Sequence, residues 1–303
     1  MVFCLTTLVD DLVQPFQIEA SALHGRLVRL GPTVDEILKR HDYPPPVARL
    51  LGECLAMTAA LAAALKYDSV FSLQIKGDGP VRMLVADVTS EGGMRGYANV
   101  EGTVPDDEAV AAAPVQRLIG AGYIAFTVDV GDPERQYQGM VELQGRTIGD
   151  CVHHYFQQSQ QFSAAVLVGA DKTFDGCWRA GALMVQREPE DELSAEHEFT
   201  EDAWHRALAF MATIKSNDLL SPDLAPETIL FRLFHEDGVR VYRTRPLAFS
   251  CRCSRDRAAS ILAALPPDEI DDLTIEGKIV VTCQFCSSSQ SFDDAELASL
   301  KES

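Results

Sequence analysis

Two cysteine doublets near the end of the chain constrain it more than any other feature. Cys251 and Cys253 form a C-x-C, and after 29 intervening residues Cys283 and Cys286 form a C-x-x-C. In an extended segment residues i and i+2 point the same way, so Cys251 and Cys253 can reach one ion. Cys283 and Cys286 bracket a tight turn, a usual zinc half-site. Four thiolates make a closed tetrahedral site with no open position, so the spacing predicts one Zn2+ per chain on Cys251, Cys253, Cys283 and Cys286. The flanks (Arg252, Ser254, Arg255, Gln284, Ser287) are polar, which argues against a chance cluster of buried cysteines. An iron–sulfur cluster also takes four cysteines, but a C-x-C is tight for one. A thioredoxin-like C-x-x-C opens a helix, whereas SSSQS follows CQFC here.

The same chemistry predicts a redox response. Zinc keeps its sulfurs as thiolates, the form that an oxidant converts to sulfenic acid and then to disulfides. Each cysteine's natural partner is its near neighbour, which predicts the redox disulfides Cys251–Cys253 and Cys283–Cys286. Both close very small rings and are expected to be strained and reducible. Zinc binding energy in such units is folding energy, on the order of 10 kcal/mol, so oxidation is expected to loosen the unit that carries the site.

Period and punctuation divide the chain in three. Thr33–Arg40 reads as a short helix, and a longer one follows Pro44–Pro46, with apolar residues at Val47, Leu50, Leu51, Cys54, Leu55, Leu61 and Leu65. Phe71–Lys76, Val81–Thr89, Met94–Val100, Tyr123–Val130, Tyr137–Leu143, Ala164–Gly169 and Ala180–Arg187 read as strands, and Ile148–Ser159 as a helix. Residues 1–187 are therefore expected to form an α+β core domain. Residues 188–246 read as a metastable helical linker: 188–202 carry eight acids, and amphipathic helices follow at Trp204–Ile214 and Glu227–His235. Residues 247–303 read as the small zinc-binding redox-switch domain, with a strand into CRC, a helix at 254–265 capped by Ser254, a short helix near 268–273, a strand at Lys278–Cys283 and a helix from about Asp293. So short a segment makes a poor core of its own, which a structural metal would remedy.

Other features read plainly. GDGP (77–80) is a hairpin turn, since no helix or Lys-Ser/Thr pair follows it. His153 and His154 are surface or packing residues, and Cys4, Cys54, Cys151 and Cys177 are buried or unreactive. The longest apolar stretch is interrupted by charge and is a buried helix, not a membrane span. The N-terminus lacks a basic region and carries Asp10 and Asp11, so it reads poorly as a signal peptide and the expected location is the cytoplasm. A net charge of −19 repels polyanions and argues against nucleic acid.

CRCSRDR (251–257) and CQFC (283–286) together resemble the zinc motif of the 33-kDa redox-regulated heat-shock chaperones. The likeness continues through HDYPPPV (41–47), LKYD (65–68), GDGP (77–80), MRGYA (94–98), GAGY (120–123) and QYQG (136–139), in the family's order. The resemblance implies an α+β domain, a metastable linker and a zinc domain ligated by Cys251, Cys253, Cys283 and Cys286. It implies an inactive zinc-bound monomer that oxidation and unfolding conditions convert, with the two neighbouring disulfides, zinc release and linker unfolding, to a form that dimerises and holds unfolding clients without ATP. Relatives often have Gly soon after the last cysteine, where Ser287–Ser289 stand here. The function expected is thus a holdase chaperone of the stress response, a binding protein and not an enzyme: a closed four-thiolate site offers substrate no coordination position. The alternative is a zinc-ribbon-like partner- or nucleic-acid-binding module on an α+β domain.

Overall fold

The structure is a computed structural model and describes residues 10–21, 23–64, 68–132, 135–159, 163–187, 197–293 and 295–297. It divides into two units, Met1–Phe249 and Ser250–Ser303. The first runs β1 (Leu12–Ile18), β2 (Leu23–Leu30), α1 (Pro32–Leu38), α2 (Pro45–Ala62), β3 (Val70–Gly77), β4 (Val81–Thr89), β5 (Gly93–Val100), α3 (Glu108–Ala112), β6 (Gly122–Asp129), β7 (Tyr137–Glu142), α4 (Ile148–Ser159), β8 (Ser163–Lys172) and β9 (Trp178–Arg187). It continues with α5 (His197–Met211), α6 (Ser216–Leu220), α7 (Pro226–Phe234), β10 (Val239–Val241), β11 (Arg245–Pro246) and β12 (Ala248–Phe249). The second unit holds α8 (Arg255–Ala263), α9 (Pro267–Leu273), β13 (Lys278–Thr282) and β14 (Ser289–Asp293).

The strands of the first unit form two sheets. One has the order β10-β1-β2-β9-β8, with β11 also on β1, and is antiparallel throughout. The other has the order β12-β5-β4-β3-β6-β7 and is antiparallel except for β12 on β5. Helix α2 lies between them. Its core face is not a stripe: 14 of its 18 residues are buried, as expected of a helix that is apolar all round. Small residues let it approach: a Cβ on Gly52 would come within 2.8 Å of the Ala170 Cβ. Val28, Leu30, Ala182 and Met184 of the first sheet and Leu73, Ile75, Leu84 and Ala86 of the second meet around it in one core. The α+β expectation therefore holds.

The other face of the first sheet is also covered. Phe16, Ile18, Leu23, Leu27, Leu183 and Val185 pack against Ala207 and Met211 of α5, Leu219 of α6 and Ile229, Leu230, Leu233 and Phe234 of α7. The residues read as linker thus form the outer layer of the first unit from α5 onward; 188–196 lie outside the described residues. The GDGP turn joins β3 to β4 and docks on the loop before β6. There the Asp78 N–H donates to the Ala121 O at 3.1 Å, and a Cβ on Gly77 would lie 2.2 Å from the Ile119 O, so only glycine fits.

In the second unit Ala258, Leu262, Ile270, Ile279, Phe292 and Leu297 form the core. Ser254 caps α8 as its sequence predicts, its Oγ accepting from the Arg257 N–H at 3.1 Å. The strand expected into CRC is shorter than expected: β12 (Ala248–Phe249) leads toward Cys251 but ends before it, and Cys251–Cys253 lie in no strand. Among the described residues no helix is long and apolar enough to cross a membrane.

Candidate metal and thiol site

Two local structures bring the four cysteines together. β13 and β14 form a hairpin in which Thr282 faces Ser289, so Cys283–Ser288 are its loop. The loop is tied by the Cys283 N–H to the Ser288 O at 2.9 Å and by the Ser287 N–H to the Cys283 O at 2.8 Å. Ser287 takes φ +57°, a left-handed conformation that suits glycine. The second doublet precedes α8, where the Arg257 guanidinium donates to the Arg252 O at 2.9 Å and holds the C-x-C turn against the helix.

All four Sγ atoms lie within 4.8 Å of one another. Cys251 and Cys283 are 3.7 Å apart and Cys253 and Cys286 3.3 Å apart, sulfur to sulfur. Zinc–sulfur bonds of about 2.3 Å in a tetrahedron put sulfurs about 3.8 Å apart, so this donor set fits one such ion. Cys286 is buried, Cys251 and Cys283 are half-buried and Cys253 is exposed. Burial raises the Cys286 thiol, but hydrogen bonds from Ser288 and from Cys253 and Cys251 outweigh it and bring it down to about 6. Cys253 moves the opposite way, chiefly because it hydrogen-bonds Cys286. Burial likewise raises Cys283. The four thiols thus form one cluster that can hold a metal ion, and each can reach any other.

The remaining cysteines and histidines stand apart. Cys54 and Cys151 are buried in the main core, where burial pushes both thiols up, Cys151 to about 12. Cys177 is buried and disulfide-bonded, and Cys4 lies outside the described residues. His153 sits 3.4 Å from the Ala164 O and 2.9 Å from the Gln157 amide. Among the described residues, the four cysteines of the second unit are the only metal-competent group.

A further constellation carries no motif. Where the α6–α7 segment lies on the first sheet, Arg29 and Arg179 are buried beside Asp10. Arg29 donates to the Leu224 O at 2.6 Å and to the Ser221 O, and Arg179 to the Leu220 O at 2.7 Å. Burial lowers Arg29 from its ordinary value against the opposing pull of Asp10. These groups clamp the cover's backbone to the sheet. The signal available in sequence is a charged residue at an inward position of an otherwise apolar strand, LVRL in β2 and WRAG in β9.

Comparison with known proteins gives one answer. The family model described as Hsp33 protein matches residues 11–293. A protein named 33 kDa chaperonin from Caulobacter vibrioides is 40% identical over 293 residues, 93% of this chain and 94% of its own length. Its namesake from Escherichia coli is 35% identical over 292 residues, 96% of this chain and 95% of its own. A crystal structure of the 33 kDa chaperonin (heat shock protein 33 homolog) from Thermotoga maritima superposes with a TM-score of 0.82 at 26% identity, covering 96% of this chain and 97% of that one.

Proposed function

The chain belongs to the Hsp33 family, and from that premise we propose that it is a cytoplasmic, redox-regulated, ATP-independent holdase chaperone. Cys251, Cys253, Cys283 and Cys286 hold one zinc ion in the reduced, inactive state. When bound, zinc keeps the sulfurs as thiolates and cross-links a unit whose own core is small. A peroxide oxidises one thiolate of a doublet to sulfenic acid. The neighbouring thiolate displaces hydroxide, which takes a proton from solvent to become water, and closes the disulfide, so each of Cys251–Cys253 and Cys283–Cys286 consumes one peroxide and releases two electrons to it. The oxidised sulfurs no longer serve as the ligand set, and residues 247–303 lose their cross-link. Helices α5–α7 then leave the first sheet, and the bared face takes up unfolding clients or a second copy of the chain.

The observation that carries this reading is the apolar sheet face under α5–α7, covered by short helices that only β10–β12 separate from the four-thiol unit in sequence. Large apolar faces under a removable cover are binding surfaces. Light scattering of a heat-unfolded client tests it: the peroxide-treated chain is expected to suppress aggregation and the reduced, zinc-loaded chain to leave it unchanged. Equal protection in both states refutes the switch. Sedimentation of the oxidised chain is expected to show a dimer.

A further inference from the structure

A second feature lies in the first unit, on the α2 side of the first sheet and apart from the face that α5–α7 cover. Near the C-terminal end of α2 the two sheets and α4 leave a cavity of about 240 Å³. Five aromatic rings wall it: Phe71 of β3, Phe126 of β6, Tyr137 of β7, and Tyr155 and Phe156 of α4. They are mutually packed, with ring centroids 6.1 Å apart for Phe71 and Phe126, 4.3 Å for Phe126 and Tyr155, and 5.7 Å for Tyr155 and Phe156. Tyr137 is half exposed and stands at the opening.

One wall is cationic. Arg26 of β2 lines the cavity beside Met184 and Gln186 of β9. A guanidinium carries five N–H donors. Here its partners are the Gln186 Oε1 at 2.7 Å and the Met184 Sδ at 3.9 Å, both neutral, and no carboxylate pairs with it among the described residues. Partial burial and the charge of a second cation, Arg245, lower Arg26 to about 10, which leaves it positive at neutral pH. Arg26 is half-buried, and a cation on the wall of an aromatic cavity with no carboxylate beside it, in a chain of net charge −19, is an arrangement that an anion would complete.

We propose that this cavity binds a small amphipathic carboxylate, with its apolar tail among the five rings and its carboxylate on the Arg26 guanidinium. The chemistry follows from the lining: aromatic faces and edges accept an alkyl or aryl tail, and the guanidinium fork matches a carboxylate bidentately. The size follows from the volume, which is below the roughly 300 Å³ where sites for drug-sized molecules begin. Such a ligand bridges the two sheets and α4, and so stabilises the first unit whether or not the thiols are oxidised.

The test uses the full reduced chain with methyl-labelled methionine, octanoate and 3-phenylpropionate as probes, and 1-octanol and 3-phenylpropanol as their uncharged counterparts. Met184→Leu assigns the reporting methyl. Saturable shifts of the Met184 methyl are expected with the acids, with dissociation constants at least tenfold tighter than for the alcohols. Arg26→Met, which keeps the apolar volume, is expected to abolish that tenfold preference. The acid–alcohol comparison on the unaltered chain stands even if the variant misfolds. An unmoved Met184 methyl, or equal affinity for acids and alcohols, overturns the proposal, and neither outcome touches the redox reading.

Discussion

Ser287 bears a cost that its neighbours do not. It closes the loop of the last two cysteines at φ +57°, where a Cβ is disfavoured. Ser287→Gly is expected to stabilise the zinc-loaded second unit by about 0.5–1 kcal/mol net of glycine's greater freedom when unfolded, read as a higher chelator midpoint and melting temperature. Glu53 is a second residue set against its surroundings. It lies on α2, and burial raises its carboxyl to about 8, opposed by Arg49. An acid whose pKa is raised on folding binds more protons folded than unfolded between its unfolded pKa, near 4.5, and 8, so stability falls as pH rises through that window. The slope is at most about 1.4 kcal/mol per pH unit. Glu53→Gln is expected to flatten the denaturation midpoint between pH 5 and about 8, and an unchanged slope there refutes the assignment.

The first sheet shows how an element can be held from two sides by different means. Its inner face meets α2 through apolar contact and one exposed ion pair, Arg49–Asp171 at 2.9 Å, while its outer face meets α5–α7 through apolar contact and the buried Asp10–Arg29–Arg179 clamp. Replacing Arg29 by Met leaves Asp10 half-paired and strips the Ser221 and Leu224 carbonyls of their donor, at about 2–3 kcal/mol. Faster amide exchange in α6 and α7, with unchanged exchange in β13 and β14, is the expected result. Phe234 stacks on Phe16 at 5.7 Å, a contact that a Cβ on Gly25 would block, and Phe234→Ala is expected to loosen the same helices by about 3–5 kcal/mol. The strands that alternate, β3 to β7, are legible in sequence almost to the residue. β1 and β2 are not, because both faces are buried: Val13, Val28 and Leu30 turn to one layer and Phe16, Ile18 and Leu27 to the other, which erases the period-two signal. Pro15 within β1 weakens it further. The cysteine spacing announced the thiol cluster because its chemistry is local, whereas the Arg29–Arg179 clamp joins residues far apart in the chain and leaves only a misplaced charge as its trace.

For the molecule as a whole, the two units differ in what stabilises them. The first has a core around α2 drawn from both sheets; among its described residues the second has a core of six buried apolar residues, and four thiols. On the zinc reading, a chelator is expected to abolish the cooperative melting of the second unit and to leave that of the first, with two calorimetric transitions becoming one. The order of the elements along the chain has its own outcome during translation. The last strand of the first sheet's main run, β9, ends at Arg187, but the residues that cover that sheet are not complete until Phe234. At about 5–20 residues per second the ribosome takes several seconds to add that stretch. A nascent chain therefore presents the bare apolar face for seconds before its own cover arrives, and every molecule passes, once, through a sticky state on its way to the closed one.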